Sequence, residues 1–372
     1  MKRFDVQVRG AGIVGLALAL ALARLGLRVG LRAGPGRPAD AGDDVRAYAL
    51  NPASVALLRG LKVWDALPAE AITAVHEMRV QGDAPGAALE FSAWEQRVGE
   101  LAWIADAAVL ERELGVALRF APHIGSVDDG DAIAAPLTAW CDGRDSAGRA
   151  ALGVGIQRHD YGQRAIAARL VASERHHGIA RQWFRAPDVM ALLPFDTPRA
   201  GASYALVWSL PEARASALLA HDDAAFELAL MEASGGAAGS LTLASARAAW
   251  PLALVRADAW CGPGWVLLGD AAHVVHPLAG QGLNLGLADV AALARVIAAR
   301  EPWRGLGDAR LLRRYARERL APTWAMGQVT DGLLRLFAHE TPILRELRNR
   351  GLTLVNQLSP LKRWLTARAL DS

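Results

Sequence analysis

The sequence predicts an α/β fold: a Rossmann-like nucleotide-binding domain, assembled from separated segments, with a mixed β-sheet domain inserted and a helical C-terminus. Three observations predict it. Gly10-x-Gly12-x-x-Gly15 stands between a strand-like run and an apolar helix. An Asp142-Gly143 turn and a Gly269–Gly286 segment follow far downstream. Between them, residues 76–103 and 201–209 are rich in Trp, Phe and Val and punctuated by turn-formers, as the strands of a second sheet would be.

Residues 4–9 (FDVQVR) read as the first strand and the helix after Gly15 runs to about Leu25, where Gly26 stops it. Residues 28–32 complete a βαβ start about 30 residues long. Pro52 opens a helix over 52–67. Residues 211–234 and 282–300 are helical by periodicity, with Leu283, Leu287, Val290, Ala294 and Ile297 on one face. From Leu311 onward the pattern is mostly helical, interrupted at Pro322, Pro342 and Pro360. The domains expected are therefore discontinuous. Residues 1–75, 104–160 and 256–310 make the nucleotide-binding domain, 76–103 and 161–255 the substrate domain, and 311–372 a C-terminal helical region.

Of 372 residues, 52% are apolar and 21% charged, a composition that buries a large core. Net charge is +3 and the basic residues are dispersed, without the clustered, aromatic-interleaved stripe that nucleic-acid binding needs. Two cysteines, Cys141 and Cys261, form no paired spacing, which argues against a disulfide framework or a zinc site. The apolar run 13–23 is too short to span a bilayer and follows a strand, so it reads as a buried helix rather than a leader.

Three segments carry chemistry. In the first, Gly10, Gly12 and Gly15 permit a tight turn and close approach of Ile13 and Val14 amides to a pyrophosphate at a helix N-terminus. The second, Asp142-Gly143, is by itself a turn and gains meaning beside the other two. In the third, a strand ending at Leu268 delivers Gly269 and Asp270, whose carboxylate suits a ribityl chain. The run His276, Pro277, Ala279, Gly280, Gln281, Gly282, Leu283 and Asn284 then opens a long helix. Its free amides would face the N1/O2 edge of an isoalloxazine and stabilise the negative charge of a reduced flavin. His273 and His276 have a spacing open to a metal but no third ligand nearby, so no metal is expected.

These three motifs in this order resemble the class A flavoprotein monooxygenases, and among them the ubiquinone-biosynthesis hydroxylases. The likeness covers nearly the whole chain. It includes Asp44-Val45-Arg46-Ala47-Tyr48-Ala49-Leu50, Asp160-Tyr161-Gly162-Gln163, Leu192-Leu193-Pro194, Ala205-Leu206-Val207-Trp208, Gly269 to Asp289, and a tail with Thr330-Asp331-Gly332-Leu333 and Pro360-Leu361-Lys362-Arg363. The resemblance implies a glutathione-reductase-type FAD-binding domain and an FAD-dependent monooxygenase. NAD(P)H would reduce the flavin, and one atom of O2 would go to the ring of a polyprenylated phenol. By matching position, Pro277, Gly280, Gln281 and Gly282 should lie at the isoalloxazine and Arg46 near the nicotinamide approach. Asp142 and Asp270 should serve the pyrophosphate and ribityl regions.

Departures gather on the adenosine side. Ala33 stands where the family has an acid for the ribose, and Asp106-Ala107-Ala108 where it has Glu-Asn-Arg. Gln7, Arg9 and Arg32 put polar groups on one face of strands that should be apolar on both. Residues 118–141 are too short, by roughly one strand of 5–6 residues and its turn, for the family's three-stranded cover sheet. A trimmed cover with those strands left partly wet, and weaker FAD retention, are the linked expectations.

Two readings compete with the hydroxylase: a flavin-poor binding or assembly subunit of the ubiquinone-biosynthesis machinery, and a hydroxylase of another hydrophobic aromatic. The tail 331–368 mixes Leu, Phe and Trp with Arg and Lys. That mixture suits either an anionic membrane surface or, more simply, a helical cap with a solvated basic face. A cytoplasmic protein, peripheral at most on the inner face of the membrane and in contact with other enzymes of the pathway, is the expected setting.

Overall fold

The computed structural model describes residues 2–34, 44–82, 88–128, 130–275 and 281–338. A six-stranded sheet forms the first layer, in the order Cys261–Gly262, Trp265–Leu267, Leu137–Trp140, Val6–Arg9, Val29–Arg32, Ile124–Ser126. Its pairings are parallel except at the Cys261–Gly262 edge. The helix Ile13–Arg24 is apolar nearly all round and packs with the helices Ala107–Arg119 and Gln281–Ala298. Together they bury Val6, Val8, Leu137, Ala139 and Val266 on one face of the sheet. Gly26, with φ +79°, turns the chain out of the first helix.

The second layer is a nine-stranded sheet, mostly antiparallel, built around the 17-residue strand Ile156–Ala172. That strand pairs with Ser203–Pro211 on one side and Ala248–Ala257 on the other. Its pairing with Ala248–Ala257 shifts between Asp160 and Gln163, so the Tyr-Gly-Gln segment is a bulge, with Gly162 at φ +64°. The helices Glu212–Ala220 and Asp223–Ser234 cover its outer face over Trp183, Tyr204, Leu206 and Trp208. Between the two layers lies a three-stranded antiparallel sheet: Ala47–Leu50, Ala102–Asp106, Ile72–Val75.

Several local expectations change. The helix that begins at Pro52 ends at Gly60, since Lys62 adopts φ +63°, and a 3-10 turn follows at Trp64–Ala66. The 211–234 stretch is two helices, because Asp222 caps a new one by accepting the Ala225 N–H. A short helix, Ala93–Gln96, interrupts the 76–103 strands. Pro322 does not interrupt the last helix, which runs Ala309–Ala338. Pro322 sits on its exposed side, where the carbonyl that the ring leaves unpaired faces solvent. Pro342 and Pro360 lie outside the described residues. Domain boundaries placed after 103, 160, 255 and 310 fall inside continuous elements: Ala102–Asp106, Ile156–Ala172, Ala248–Ala257 and Ala309–Ala338.

The short cover is visible. Between Ile124–Ser126 and Leu137–Trp140, the described residues hold one two-residue strand, Ile133–Ala134, which pairs with Lys2–Arg3. The sheet beneath is less wet than expected. Gln7 is buried, and Arg9 and Arg32 are half-buried. Phe4 closes the gap: its ring lies against Gly30 and Gly125, where side chains would collide with it. Arg9 stacks 4.5 Å from the Trp140 ring centroid, and Arg32 donates to the Asp131 carbonyl at 2.9 Å.

Candidate functional site

The first glycine turn is shaped by close approach. Gly10 has φ +109°, and a Cβ there would run into the Cys141 carbonyl. A Cβ on Gly15 would strike the Gly10 carbonyl, so strand and helix meet too closely for any other residue. Gly12 differs. It caps the helix without a side chain, and the space its Cβ would enter is empty. That opening, at the free amides of Ile13 and Val14, is shaped for an anion.

Val14 joins this turn to the third segment. Its methyls lie against Gly269 and Gly286, both of which would clash or crowd if substituted. Asp270 follows, on a 3-10 turn, open to solvent but on a floor crowded by protein. That crowding raises its carboxyl pKa, against the pull of His273, Arg144 and Arg46. Gly282, in the first turn of the Gln281–Ala298 helix, has no neighbour where a Cβ would stand, and Leu283 is buried in the core behind it. Pro277, Ala279 and Gly280 lie outside the described residues, as does the Gln281 side chain.

Two predicted residues are held by protein partners. Asn284 is buried; its Oδ1 accepts from the Asn51 amide (3.1 Å) and Ser54 Oγ (2.7 Å), and its Nδ2 donates to the Ala49 carbonyl (2.8 Å). It ties the helix start to the strand Ala47–Leu50. Asp142 accepts from Ser146 Oγ and, at 3.0 Å, from the Gly148 amide, which shapes the Asp-Gly loop. Gly143, at φ +86°, has open space beside it. Arg149 fastens that loop to the third segment by donating to the Ala271 carbonyl at 2.9 Å.

Arg46 is gripped by both oxygens of Asp44, at 2.8 and 2.6 Å, which raises its pKa. Its guanidinium carbon lies 5.8 Å from the Tyr48 ring centroid. Burial, opposed by Arg46, pushes the Tyr48 phenol up to about 12, so it stays protonated. On the other face of the same strand, Ala49 lines a narrow apolar cleft with Val75, Ile104, Ala180 and Leu193.

Sequence reasoning missed Asp289 and Arg169. Asp289 is fully buried and accepts from the Gly269 amide, His273 and Arg319. A lone acid in the otherwise apolar middle of the 281–298 helix was the signal available. Arg169 reaches from the large sheet to the Arg46 carbonyl (2.8 Å) and Asp106 Oδ2 (2.9 Å), while Asp106 Oδ1 caps the next helix at Val109. Nothing in the local sequence marks it.

The arrangement fits a flavin dinucleotide on the phosphate and ribityl sides: an open anion site at Gly12, an accessible Asp270, and an unobstructed helix start at Gly282. On the adenosine side Ala33 is exposed and offers no carboxylate. Among the described residues no group of three or more His, Cys, Asp or Glu is placed to hold a metal. No helix among them is long and apolar enough to cross a membrane.

Residues 119–330 match the family described as FAD binding domain. The chain is 33% identical over 383 residues to 3-demethoxyubiquinol 3-hydroxylase of Escherichia coli, covering 96% of each. It is 31% identical over 390 residues to ubiquinone hydroxylase UbiL of Rhodospirillum rubrum, covering 99% of this chain and 90% of the relative. In fold it is similar to p-nitrophenol 4-monooxygenase PnpA of Pseudomonas putida, with a TM-score of 0.77 at 18% identity over 99% and 98% of the two chains.

Proposed function

Because the chain belongs to the FAD-binding class A monooxygenases, in the family of ubiquinone-biosynthesis hydroxylases, we propose that it hydroxylates the ring of a polyprenylated phenol, using NAD(P)H and O2. One observation carries the reading. Asn284 ties the start of the flavin-side helix to the strand whose Ala49 lines the apolar cleft. A cofactor site and an apolar cleft thus share one strand.

Bound FAD would supply the redox chemistry between NAD(P)H and O2, one oxygen atom going to the ring and the other to water. The chain's own residues bind and shield. Amides of Ile13 and Val14 at the open Gly12 turn would hold the pyrophosphate. Asp270 would accept from ribityl hydroxyls. The N-terminus of the Gln281–Ala298 helix would favour negative charge on the reduced ring. Pro277, Gly280, Gln281 and Gly282 are the segment proposed at the isoalloxazine. The three-stranded sheet, packed between both layers, forms one wall of the apolar cleft through Ala49, Val75, Ala102 and Ile104.

The assembly-subunit reading is not favoured, since the relatives are named as hydroxylases across nearly the full length of the chain. Access to a prenylated substrate supports peripheral membrane contact and association with other enzymes of the pathway. Liposome flotation and co-purification test those two points. The central test is NAD(P)H oxidation by purified, FAD-supplemented protein. Stimulation by a prenylphenol with matching hydroxylated product supports the proposal, and oxidation indifferent to every prenylphenol overturns it.

A further inference from the structure

The strand Ala47–Leu50 has two unlike faces. Ala47 and Ala49 turn to the large sheet and join the small core that includes Val75, Ile104 and Leu193. Arg46, Tyr48 and Leu50 alternate onto the other face, toward the nucleotide-binding domain, where Leu50 is fully buried and Tyr48 packs against the main core. The outer edge of the strand is tied to the start of the Gln281–Ala298 helix, since Asn284 donates to the Ala49 carbonyl and accepts the Asn51 amide. Tyr48 thus stands one residue from the point where the strand meets that helix.

Unlike Leu50, Tyr48 is only half-buried, and the groups around it are charged. The Arg46 guanidinium carbon stands 5.8 Å from its ring centroid. The charges of Asp270, on the turn after Leu268, and of Glu111, on the helix Ala107–Arg119, both act on its phenol. Arg46 and Asp270 are themselves exposed, and among the described residues Gly282 has no neighbour where a Cβ would stand. An aromatic ring left part-open between a cation and a carboxylate, beside an unobstructed helix start, offers a surface that a flat conjugated ring can cover.

We infer that Tyr48 is a further cofactor contact: its ring packs on the flavin ring system between Arg46 and Asp270, adding hold at the end of the cofactor away from the eroded adenosine side. The inference rests on the flavin-site reading. It names a residue that the surrounding motif, with Asp44, Arg46, Ala49 and Leu50 as its fixed positions, leaves unspecified. An aromatic contact of this kind contributes a modest factor, about 3- to 10-fold in affinity. It acts on FAD and FMN alike, because FMN carries the same ring and lacks the adenosine half.

The test is fluorescence titration of apoprotein with FMN and with FAD. A phenol in contact with an excited flavin quenches it by lending an electron that then returns, so no net reaction occurs; a benzene ring is too hard to oxidise to do this. Bound FMN should therefore be dim in the unmodified protein. Tyr48→Phe keeps the packing and the affinity but should brighten bound FMN several-fold. Tyr48→Leu should brighten it too, and weaken FMN and FAD by the same factor, about 3- to 10-fold. Emission as dim in Tyr48→Phe as in the unmodified protein, or unchanged affinity in Tyr48→Leu, overturns the inference. If Tyr48→Leu does not fold, the Phe variant decides alone. If neither flavin binds the unmodified protein, the flavin-site reading falls and this inference with it; if both bind and Tyr48→Phe changes nothing, only the contact falls.

Discussion

His273 Nε2 lies 2.7 Å from Oδ2 of Asp289, the carboxylate that also accepts the Gly269 amide at 3.0 Å and, through Oδ1, the Arg319 Nε–H at 2.8 Å. A fully buried acid is thereby satisfied from three directions, and the turn that presents Asp270 is bolted to the last helix. Burial alone would raise the Asp289 pKa, but His273 and Arg319 hold it below the usual carboxylate range.

Removing that charge should be severe. Asp289→Asn leaves Arg319 buried without its counter-charge, a loss of about 3–5 kcal/mol by the precedent of broken buried pairs. Urea unfolding with and without FAD is the measurement. FAD should protect the variant less than the parent, because the Gly269 turn has lost its anchor. Unchanged stability would show that the network is dispensable.

The glycines of the first turn should separate folding from binding. Gly15→Ala puts a methyl into the Gly10 carbonyl and is expected to cost about 2 kcal/mol or more. Gly12→Ala meets nothing in the protein and loses only the preference of the N-cap for glycine, so its stability should stay within about 1 kcal/mol of the parent. Its methyl would occupy the opening meant for the pyrophosphate, and FAD affinity should fall at least roughly tenfold, about 1.4 kcal/mol. Denaturation paired with flavin-fluorescence titration reads both effects.

Asp188 gives a pH signature. Burial pushes its carboxyl up to about 6, against the pull of Arg214, and its Oδ1 has no hydrogen-bond partner. A folded-state pKa above the unfolded 3.8 means the native protein binds the proton more tightly. Its contribution is therefore complete below about pH 4 and is lost as pH rises through 6, a swing of about 3 kcal/mol. Asp188→Asn should flatten the stability profile between pH 4 and 7 and be the more stable form at pH 8. A variant with the parent's pH slope would contradict this.

How much of this was legible in the sequence depended on distance along the chain. The Gly10–Gly15 turn and the Gly269 segment are each contiguous runs of residue types, so their pattern is readable even though the close approaches that select Gly10 and Gly269 come from Cys141 and Val14, far along the chain. Asp289 finds His273 and Arg319 at separations of 16 and 30 residues, and Arg169 finds Asp106 at 63. Such pairings are set by how layers stack, which periodicity does not encode. The same holds for Phe4, which replaces a missing cover by lying on Gly30 and Gly125 from two different strands. The short cover could be read from a length; what fills it could not.

The adenosine side yields the last prediction. Ala33 follows the strand Val29–Arg32 directly and is exposed, at the place where the family's acid would meet the ribose hydroxyls. Asp106 does not substitute for the missing contact, because its two oxygens are taken by Val109 and Arg169. The protein as it stands should lose FAD on dialysis more readily than a relative carrying the acid. Ala33→Glu restores an acceptor on an already positioned backbone, and a hydrogen bond to a charged group is worth about 1.5–3 kcal/mol, roughly a 10- to 150-fold gain in affinity. FMN lacks the adenosine and serves as the internal control. Fluorescence titration of apoprotein should show FAD binding tightened and FMN binding unchanged. If both flavins gain equally, the new carboxylate acts on the loop rather than on the ribose; if neither gains, Ala33 is not at the adenosine and the erosion of that half-site lies elsewhere.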